Sequence, residues 1–261
     1  MRTPHFTTPA VGTRLVRYVG QLSMLLGQTV VAAVTPPFKP ERFWVQAEQI
    51  GLGSFFIAGL VGFFVGMIMS LQMAYLMLKL SAEIYIPNVV AVSLTRELAP
   101  VLTALVVAGR IGAGISAEIG TMAVTEQVDA LKAFAVNPVR FLVVPRFLAL
   151  VLMLPVLTIF ADIIGILGGF MICVFKLGIN AAFFSHMVMK ALAVKDIVTG
   201  LIKAVIFGMI IAIVGCHQGL TVRGGAEGVG RATTQAVVFS FIMIIVSDCF
   251  LTVFFYFIFH A

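Results

Sequence analysis

Long apolar stretches dominate the chain. Residues 49–78 contain no charged residue, and four later runs are interrupted by only a few charges. A helix that spans a membrane needs about 20 mostly apolar residues, and each run is long enough. The runs are continuous, whereas the strands of an outer-membrane barrel alternate between apolar and polar residues. The pattern therefore predicts an all-α, polytopic membrane protein with about five transmembrane helices, at about 53–78, 91–117, 147–175, 197–220 and 233–259.

A different pattern precedes these runs. Between residues 11 and 34, apolar residues recur at steps of three and four, and polar residues fall on the opposite side. This spacing predicts an amphipathic helix that lies in the membrane interface and ends at Thr35-Pro36-Pro37. A cleaved signal peptide is the alternative. The apolar face comprises Leu15, Val19, Leu22, Leu26 and Val30, and the polar face Arg14, Arg17, Gln21 and Gln28.

Composition supports the membrane assignment. Of the 261 residues, 61% are apolar and 11% are charged, whereas soluble domains have about 25% charged residues. No polar stretch is long enough for a catalytic domain, so the chain is not expected to be an enzyme. The basic residues are scattered, which disfavours nucleic acid as a partner. The histidines and cysteines lack ligand spacing, so no metal site is expected.

The distribution of lysine and arginine predicts the orientation. Ten lie in the segments 1–52, 119–146 and 221–232, against four in the connections on the other side. Because basic residues accumulate on the cytoplasmic side, we expect a cytoplasmic N-terminus and an external C-terminus.

Small residues recur at steps of four on two predicted spans. Helices in lipid associate by close backbone approach, so such stripes predict helix-packing faces. One stripe is Ala108, Gly112, Ser116 and Gly120, and the other is Gly62, Gly66 and Ser70.

Three charged residues are predicted at a similar depth in the outer half of the membrane: Arg96, Glu97 and Lys203. Charges at this depth are costly and usually face a cavity, a partner or the interface. The two cations and one carboxylate could hold an anionic head group. Alternatively, Arg96 pairs with Glu97, and Lys203 extends its ammonium outward to water.

Three further charges lie inside predicted spans, and a fourth, Glu118, lies directly after one. Arg110 and Glu118 are two turns apart on one face, which favours an ion pair within the helix or between helices. Asp162 and Asp248 are lone carboxylates. They leave a proton-coupled secondary carrier as an alternative function, although a relay would need a chain of such groups.

The connection after the second predicted span resembles a short amphipathic helix. Val124, Val128, Leu131 and Ala135 form its apolar face, with Thr125 as the expected N-cap and Asn137-Pro138 as the stop. Such a helix either lies on the membrane as a connector or docks into a soluble partner, and its polarity favours docking. Its polar face comprises Glu126, Gln127, Asp129 and Lys132.

The connection from Gly219 to Thr234 is rich in glycine. Gly225 and Gly230 have the spacing of a phosphate-binding P-loop, but Arg231-Ala232 stands where that motif needs Lys-Ser or Lys-Thr. We therefore expect a tight, flexible turn, with Thr233 or Thr234 capping the last span.

Several motifs resemble the MlaE/YrbE permease family over about residues 45–260. They include Arg96-Glu-Leu-Ala-Pro-Val101, Ala108-Gly-Arg-Ile-Gly-Ala-Gly114, Ala117-Glu-Ile-Gly120, Glu126-Gln127, Asp129-Ala130, Asn137-Pro138, Pro145-Arg146 and Gly225-Ala-Glu-Gly-Val-Gly-Arg-Ala-Thr-Thr234.

The resemblance implies one permease domain over 1–261, in the inner membrane of a bacterium. It implies a homodimer that moves phospholipid between two membranes and so maintains outer-membrane lipid asymmetry. A separate ABC ATPase would use ATP and Mg, and a periplasmic MCE-domain protein would be a further partner. A scaffold that only anchors partners is a rival.

The resemblance also assigns residues. A lipid pocket between two copies would include Arg96, Glu97 and Lys203, with Leu76, Met77 and Leu80 as apolar lining. The ATPase-coupling helix would contain Glu126, Gln127, Asp129, Leu131 and Lys132.

Overall fold

A computed structural model describes residues 11–35 and 40–260. Within these ranges the chain forms eight helices and no strand, counting runs with irregular turns as one helix. In chain order they are α1 Val11–Val34, α2 Pro40–Lys79, α3 Glu83–Val124, α4 Gln127–Ala133, α5 Val139–Lys176, α6 Ala181–Ala191, α7 Val194–Leu220 and α8 Gly225–His260.

Five of these helices (α2, α3, α5, α7 and α8) are long and apolar enough to cross a membrane. The predicted all-α polytopic fold is therefore confirmed. The helices are longer than the apolar runs, and α2 begins at Pro40 rather than near residue 53. Its first turns carry charged residues, so a search for apolar runs does not include them. At 40 residues, α2 is about 60 Å long and extends well beyond a bilayer core of about 30 Å.

Helix α1 forms where the amphipathic pattern predicts it, but its buried face is rotated from the expected one. Leu22, Leu25 and Thr29 are buried, whereas Val19 and Val30 are exposed. The hydroxyl of Thr29 donates to the carbonyl of Leu25, so a polar side chain can be buried there. Arg17, Gln21 and Gln28 are exposed, as predicted; the side chains of Arg14 and Leu15, and residues 36–39, lie outside the described residues.

Helices α2 and α5 pack with their backbones in close approach. A methyl group added at Gly66 would overlap the carbonyl of Gly165, and one added at Gly168 would overlap that of Phe63. Gly62 lies in the same way against Ala161. These glycines let the two helices approach closely, the means of association that lipid favours.

Helix α3 packs on α7 through the other small-residue stripe. Ala108, Gly112, Ser116 and Gly120 are all buried. A Cβ added at Gly215 of α7 would meet the carbonyl of Gly112, and one added at Gly219 would meet that of Ser116. The stripe therefore lies in a helix–helix contact.

Two turns of α3 are wider than α-helical turns. Leu94–Leu98 and Ala108–Gly112 are π-helical, and they contain Arg96, Glu97 and Arg110. Similar turns occur at both ends of α5, at Val139–Val143 and Ile172–Lys176. Such turns are often found at functional sites. In α3 they contain every charged residue between Glu83 and Glu118.

The glycine-rich connection is shorter than predicted, which corrects the expected turn. Helix α7 ends at Leu220 and α8 already begins at Gly225. Gly224 and Gly225 have φ of 93° and 67°, values that glycine adopts readily, and they make the reversal. Thr233 and Thr234 do not cap α8, because their hydroxyls donate to Val229 and Gly230 within the helix.

The connection between α5 and α7 contains a helix that the sequence interpretation missed. The side chain of Asn180 accepts hydrogen bonds from the backbone of Ala182 and Phe183, which starts α6. Phe184 and Val188 are its buried residues. The Asn cap and apolar residues four apart are the signals that could have identified it.

Candidate functional site

Lys203 of α7 is at the centre of an ionic cluster that joins three spans. Its side chain is 0% exposed, and its ammonium pairs with Glu97 of α3 and, at 2.9 Å, with Asp248 of α8. It also donates to the hydroxyl of Thr252, 2.8 Å away on α8. One ammonium, which has three hydrogens to donate, therefore lies among three oxygen-bearing side chains.

Thr252 contacts Glu97 as well as Lys203. Its hydroxyl lies 3.2 Å from a carboxylate oxygen of Glu97, so α3 and α8 are also linked directly. Buried charges are tolerated when they are paired and hydrogen-bonded, as Lys203 and Glu97 are; Asp248 is paired, but its Oδ1 accepts no hydrogen bond among the described residues.

A second ion pair links α3 and α7 next to this cluster. Arg96 lies 3.7 Å from Asp196, and the Arg96 side chain keeps 29% of its surface exposed. The other oxygen of Asp196 accepts a hydrogen bond from the backbone of Ala193, 3.1 Å away, at the start of α7. Asp196 is thus fixed by the helix start, and Arg96 is the exposed cation of the group.

These contacts contradict the alternative interpretation of Arg96, Glu97 and Lys203 and correct the expectation that Asp248 is a lone carboxylate. Arg96 and Glu97 do not pair with each other, because both reach α7. Lys203 does not extend outward to water, because it is fully enclosed by its partners. Asp248 is not a lone carboxylate. Adjacent residues on a helix point in different directions, which is why Arg96 and Glu97 find separate partners.

The predicted apolar lining lies at the C-terminal end of α2 and directly after it. Leu76 and Leu80 are exposed, and Met77 packs partly buried against a cluster that includes Val90 and Leu94 of α3. Leu94 begins the wide turn that carries Arg96 and Glu97. Apolar surface of α2 and the ionic cluster thus flank the same segment of α3.

The inner charges also pair differently from the prediction. Glu118 binds Arg146 of α5 at 2.7 Å and not Arg110. Arg110 instead donates to the hydroxyl of Ser54 on α2, 3.2 Å away. The glycine at position 53 makes room for it, because a methyl group there would overlap the guanidinium.

Helix α4 lies between the C-terminal end of α3 and the N-terminal end of α5. Glu126, with φ of 59°, precedes it, and Ala135, with φ of 58°, follows it. The predicted cap at Thr125 is wrong, since its hydroxyl donates back to Thr121 of α3 and no side chain caps α4. Asn137 does not end α4 but accepts from the backbone of Val139, where α5 starts.

One residue of α4 is buried, one is half-buried, and the other residues of the helix are exposed. Val128 is the buried residue, and Leu131 is half-buried. Glu126, Gln127, Asp129 and Lys132 are exposed, with Asp129 and Lys132 forming an ion pair of 2.7 Å. Phe134, directly after the helix, is 81% exposed, and the sequence interpretation had not singled it out.

Among the described residues, no group of three histidine, cysteine or acidic side chains is arranged to hold a metal ion. The cysteines Cys173 and Cys216 are buried and Cys249 is exposed, and all three are free thiols.

Comparison with known proteins identifies the fold and its role. Residues 43–254 match the family described as Permease MlaE. The chain belongs to the MlaE permease family. It is 41% identical to a probable ABC transporter permease protein of Rickettsia conorii, over 95% of this chain and 96% of the relative.

Two further relatives come from photosynthetic organisms. A probable ABC transporter permease protein of Synechocystis is 46% identical over 79% of each chain. The protein named TRIGALACTOSYLDIACYLGLYCEROL 1, chloroplastic, of Arabidopsis thaliana is 36% identical over 89% of this chain and 67% of the relative. The chain is therefore an ABC transporter permease of the MlaE family, the membrane subunit of a transporter.

This membership bears on the alternative functions. The Rickettsia conorii and Synechocystis relatives are named as probable ABC transporter permeases and not as secondary carriers. Asp248, which the proton-carrier hypothesis needed as a lone group, is paired with Lys203. Asp162 is a partly buried carboxylate on α5 with one oxygen that lacks a hydrogen-bond partner among the described residues.

Proposed function

We propose that this permease forms the lipid pathway of an ABC transporter that moves phospholipid between the inner and outer membranes and so maintains outer-membrane lipid asymmetry. The ionic cluster in the outer half of the spans carries the proposal. Charged residues at membrane depth are expensive to keep, so a cluster that joins α3, α7 and α8 favours a functional site over a purely structural one.

Within that cluster we assign different roles to the two cations. Arg96 is partly exposed and has one carboxylate partner at 3.7 Å, so its guanidinium is free to bind a head-group phosphate in the bidentate manner of arginine. Lys203 is enclosed and fully partnered. It acts as a positioning residue that holds Glu97 against α7 and α8.

The apolar residues suit the acyl chains of the same lipid. Leu76 and Leu80 are exposed at the outer end of α2, and Met77 is a flexible side chain beside them. The name of the Arabidopsis relative contains the name of a glycerolipid, which supports a lipid as substrate.

We further propose that two copies assemble and that each docks an ABC ATPase, which binds ATP and Mg²⁺. Helix α4 is the docking element, through Glu126, Gln127, Asp129, Leu131 and Lys132. Its support is geometric: α4 is anchored by Val128 and presents nearly all its other surface outward. On the opposite side, a periplasmic MCE-domain protein would receive the lipid.

The orientation belongs to the same proposal. The N-terminus and α4 lie in the cytoplasm, and α6 and the C-terminus lie outside the inner membrane. This follows from the excess of lysine and arginine on the α4 side.

The experiment is ATP-driven transfer of a fluorescent phospholipid by the permease reconstituted with its ATPase in vesicles. We expect Arg96→Gln to lower the transfer rate about tenfold, because a charge-assisted hydrogen bond to phosphate is lost. Lys190→Gln on α6 is the matched control, since Lys190 is exposed and outside the cluster. Equal rates for the Arg96→Gln variant and the unmodified protein would refute the assignment of the site.

A further inference from the structure

A polar cleft opens in the inner half of the membrane, away from the ionic cluster described above. It consists of two adjoining hollows of about 300 and 410 Å³ that share Gln46 and Glu118. The first hollow lies between α2 and α3 and contains Gln49 and Arg110. The second adds Arg42 of α2 and Arg146 of α5.

Arg110 is the unexpected member of this cleft. It lies within a predicted span, two turns or about 12 Å deeper along α3 than Glu118. Its only hydrogen bond in the described residues is to the neutral Ser54 hydroxyl, and no described carboxylate lies within ion-pair distance. Arg110 is exposed in the single chain, and a cation at membrane depth usually faces a cavity or an anionic partner, so its guanidinium is available to an anion that enters the cleft.

Arg146 adds an unsatisfied group. Only 6% of its side chain is exposed, and two of its nitrogens are used by Glu118 and by the carbonyl of Leu142. Its Nε has no hydrogen-bond partner among the described residues, and the Arg146 side chain as a whole belongs to the lining of the cleft. Because a buried polar group without a partner costs free energy, this nitrogen also favours an acceptor in the cleft.

The charges of the lining are predominantly basic. Arg42, Arg110 and Arg146 face Glu118 and Glu41, so one positive charge remains. Arg42 also stacks on the ring of Phe141 at 3.5 Å, which fixes its guanidinium at the mouth. Planar guanidinium groups bind phosphate oxygens in pairs, and this makes a phosphate group the fitting occupant.

We infer that this cleft binds the phosphate of a phospholipid head group from the inner leaflet, between α2 and α3. Leu52 lies three residues after Gln49 on α2, about one helical turn away. It is exposed and offers apolar surface for an acyl chain. The inference deepens the proposed transport function, on which it rests for its role, by adding a second, inner lipid site to the outer one.

The test is photo-cross-linking from a benzophenone amino acid placed at Gln49, in the full chain reconstituted in phosphatidylglycerol vesicles without ATP. The same amino acid at Phe56, which is exposed farther along α2, reports ordinary contact with bulk lipid. We expect Arg110→Gln to lower lipid cross-linking about tenfold at position 49 and to leave it unchanged at position 56. Arg223→Gln, an exposed arginine outside the cleft, should change neither.

Two further arms identify the phosphate source and guard against misfolding. Vesicles of a galactolipid without phosphate should give little cross-linking at position 49, and inorganic phosphate in a phosphatidylglycerol experiment should compete weakly. If Arg110→Gln does not fold, Gly53→Ala displaces the guanidinium and should reduce the yield in the same direction.

Three results would overturn the inference: equal yields in the Arg110→Gln variant and the unmodified protein, a cross-link from position 49 to a second copy of the chain, or complete competition by inorganic phosphate. The proposed transport function fails separately, if Arg96→Gln transports normally while position 49 still cross-links lipid in an Arg110-dependent way.

Discussion

The ammonium of Lys203 on α7 lies 2.9 Å from the Asp248 carboxylate on α8, although these residues are 45 positions apart and both lie in apolar spans. The pair, with Glu97 as a second anion, connects the last two spans to α3. The contact leaves the lysine with no exposed surface, so its charge depends entirely on its neighbours for compensation.

We expect Lys203→Met to destabilise the protein by about 3 kcal/mol, because it leaves two carboxylates without their cation. The value is at the low end for a broken buried pair, since the Glu97 side chain keeps 36% of its surface exposed. Unfolding in mixed micelles measures the change. Lys190→Met, on exposed α6, is the control and should change stability by less than about 0.5 kcal/mol.

A double-mutant cycle distinguishes the loss of the Lys203–Asp248 ion pair from a non-specific loss of stability. Asp248→Asn in the Lys203→Met background should recover part of the loss, because it removes one of the uncompensated charges. Additive losses would mean that the two side chains do not interact in the folded protein.

We expect Gly66→Ala to disrupt the contact between α2 and α5. The added methyl group would overlap the carbonyl of Gly165, which is backbone and cannot rotate away. The cost should be about 1–3 kcal/mol, as for other overpacked contacts. Gly230→Ala on α8 meets open space and should be neutral or slightly stabilising. Thermal unfolding of the purified variants distinguishes the two, and equal behaviour would argue against close packing at Gly66.

Phe134→Ala tests the proposed role of the segment around α4. The ring is 81% exposed, so its removal should leave stability within about 0.5 kcal/mol but weaken association with the ATPase severalfold. Phe175→Ala removes a ring of 79% exposure at the opposite end of α5 and serves as control. Co-purification of the ATPase with each variant is the measurement.

Charge reversal gives an independent check of the same element. Asp129→Lys breaks the 2.7 Å pair with Lys132 and should reduce binding of the ATPase and its coupling to transport. Normal assembly and transport in both Asp129→Lys and Phe134→Ala would exclude docking through this segment.

Tyr18 of α1 provides a prediction about pH. Its hydroxyl accepts a hydrogen bond from Gln218 at 3.0 Å, and its ring packs edge-on against His217. Burial raises the pKa of Tyr18 above its usual 10.0, although the hydrogen bond from Gln218 opposes the shift. The folded state therefore favours the neutral phenol. The contribution of Tyr18 to the free energy of unfolding is complete below pH 10 and is lost as the pH rises through the pKa of Tyr18 in the folded state.

Tyr18→Phe should lower stability by about 1 kcal/mol at neutral pH, because Gln218 loses its partner. Above pH 10 the difference in free energy of unfolding between the variant and the unmodified protein should shrink. Only the unmodified chain carries a phenolate when unfolded, and this phenolate must take up a proton before it is buried. Unfolding curves for both proteins from pH 8 to 12 test this, and a constant difference would show that Tyr18 does not titrate with folding.

The sequence was sufficient for the number and order of the spans, because each is an apolar run with few charges. It did not define where the helices end, since α2 continues through Glu41 and Arg42 and α8 through Glu227, outside the apolar runs. Polar turns of this kind are stabilised by capping and tertiary contacts that a hydropathy pattern does not register.

The pairing of charges could not be predicted from spacing. Arg96 reaches Asp196, and Glu118 reaches Arg146, through helix contacts that are set by the packing of α3 against α7 and α5. Proximity along the chain suggested the pairs Arg96–Glu97 and Arg110–Glu118 instead. The grouping of Arg96, Glu97 and Lys203 at one depth was recoverable, because depth follows from counting residues along each span.

The two wide turns of α3 have a geometric consequence for its arginines. In a regular helix, residues 14 positions apart point within about 40° of each other, so Arg96 and Arg110 would face one neighbour. They contact different helices, α7 and α2. A π-helical turn holds about one residue more than an α-helical turn and so changes the direction of everything beyond it. The wide turns therefore let the single helix α3 direct Arg96 toward α7 and Arg110 toward α2, on different sides of the bundle.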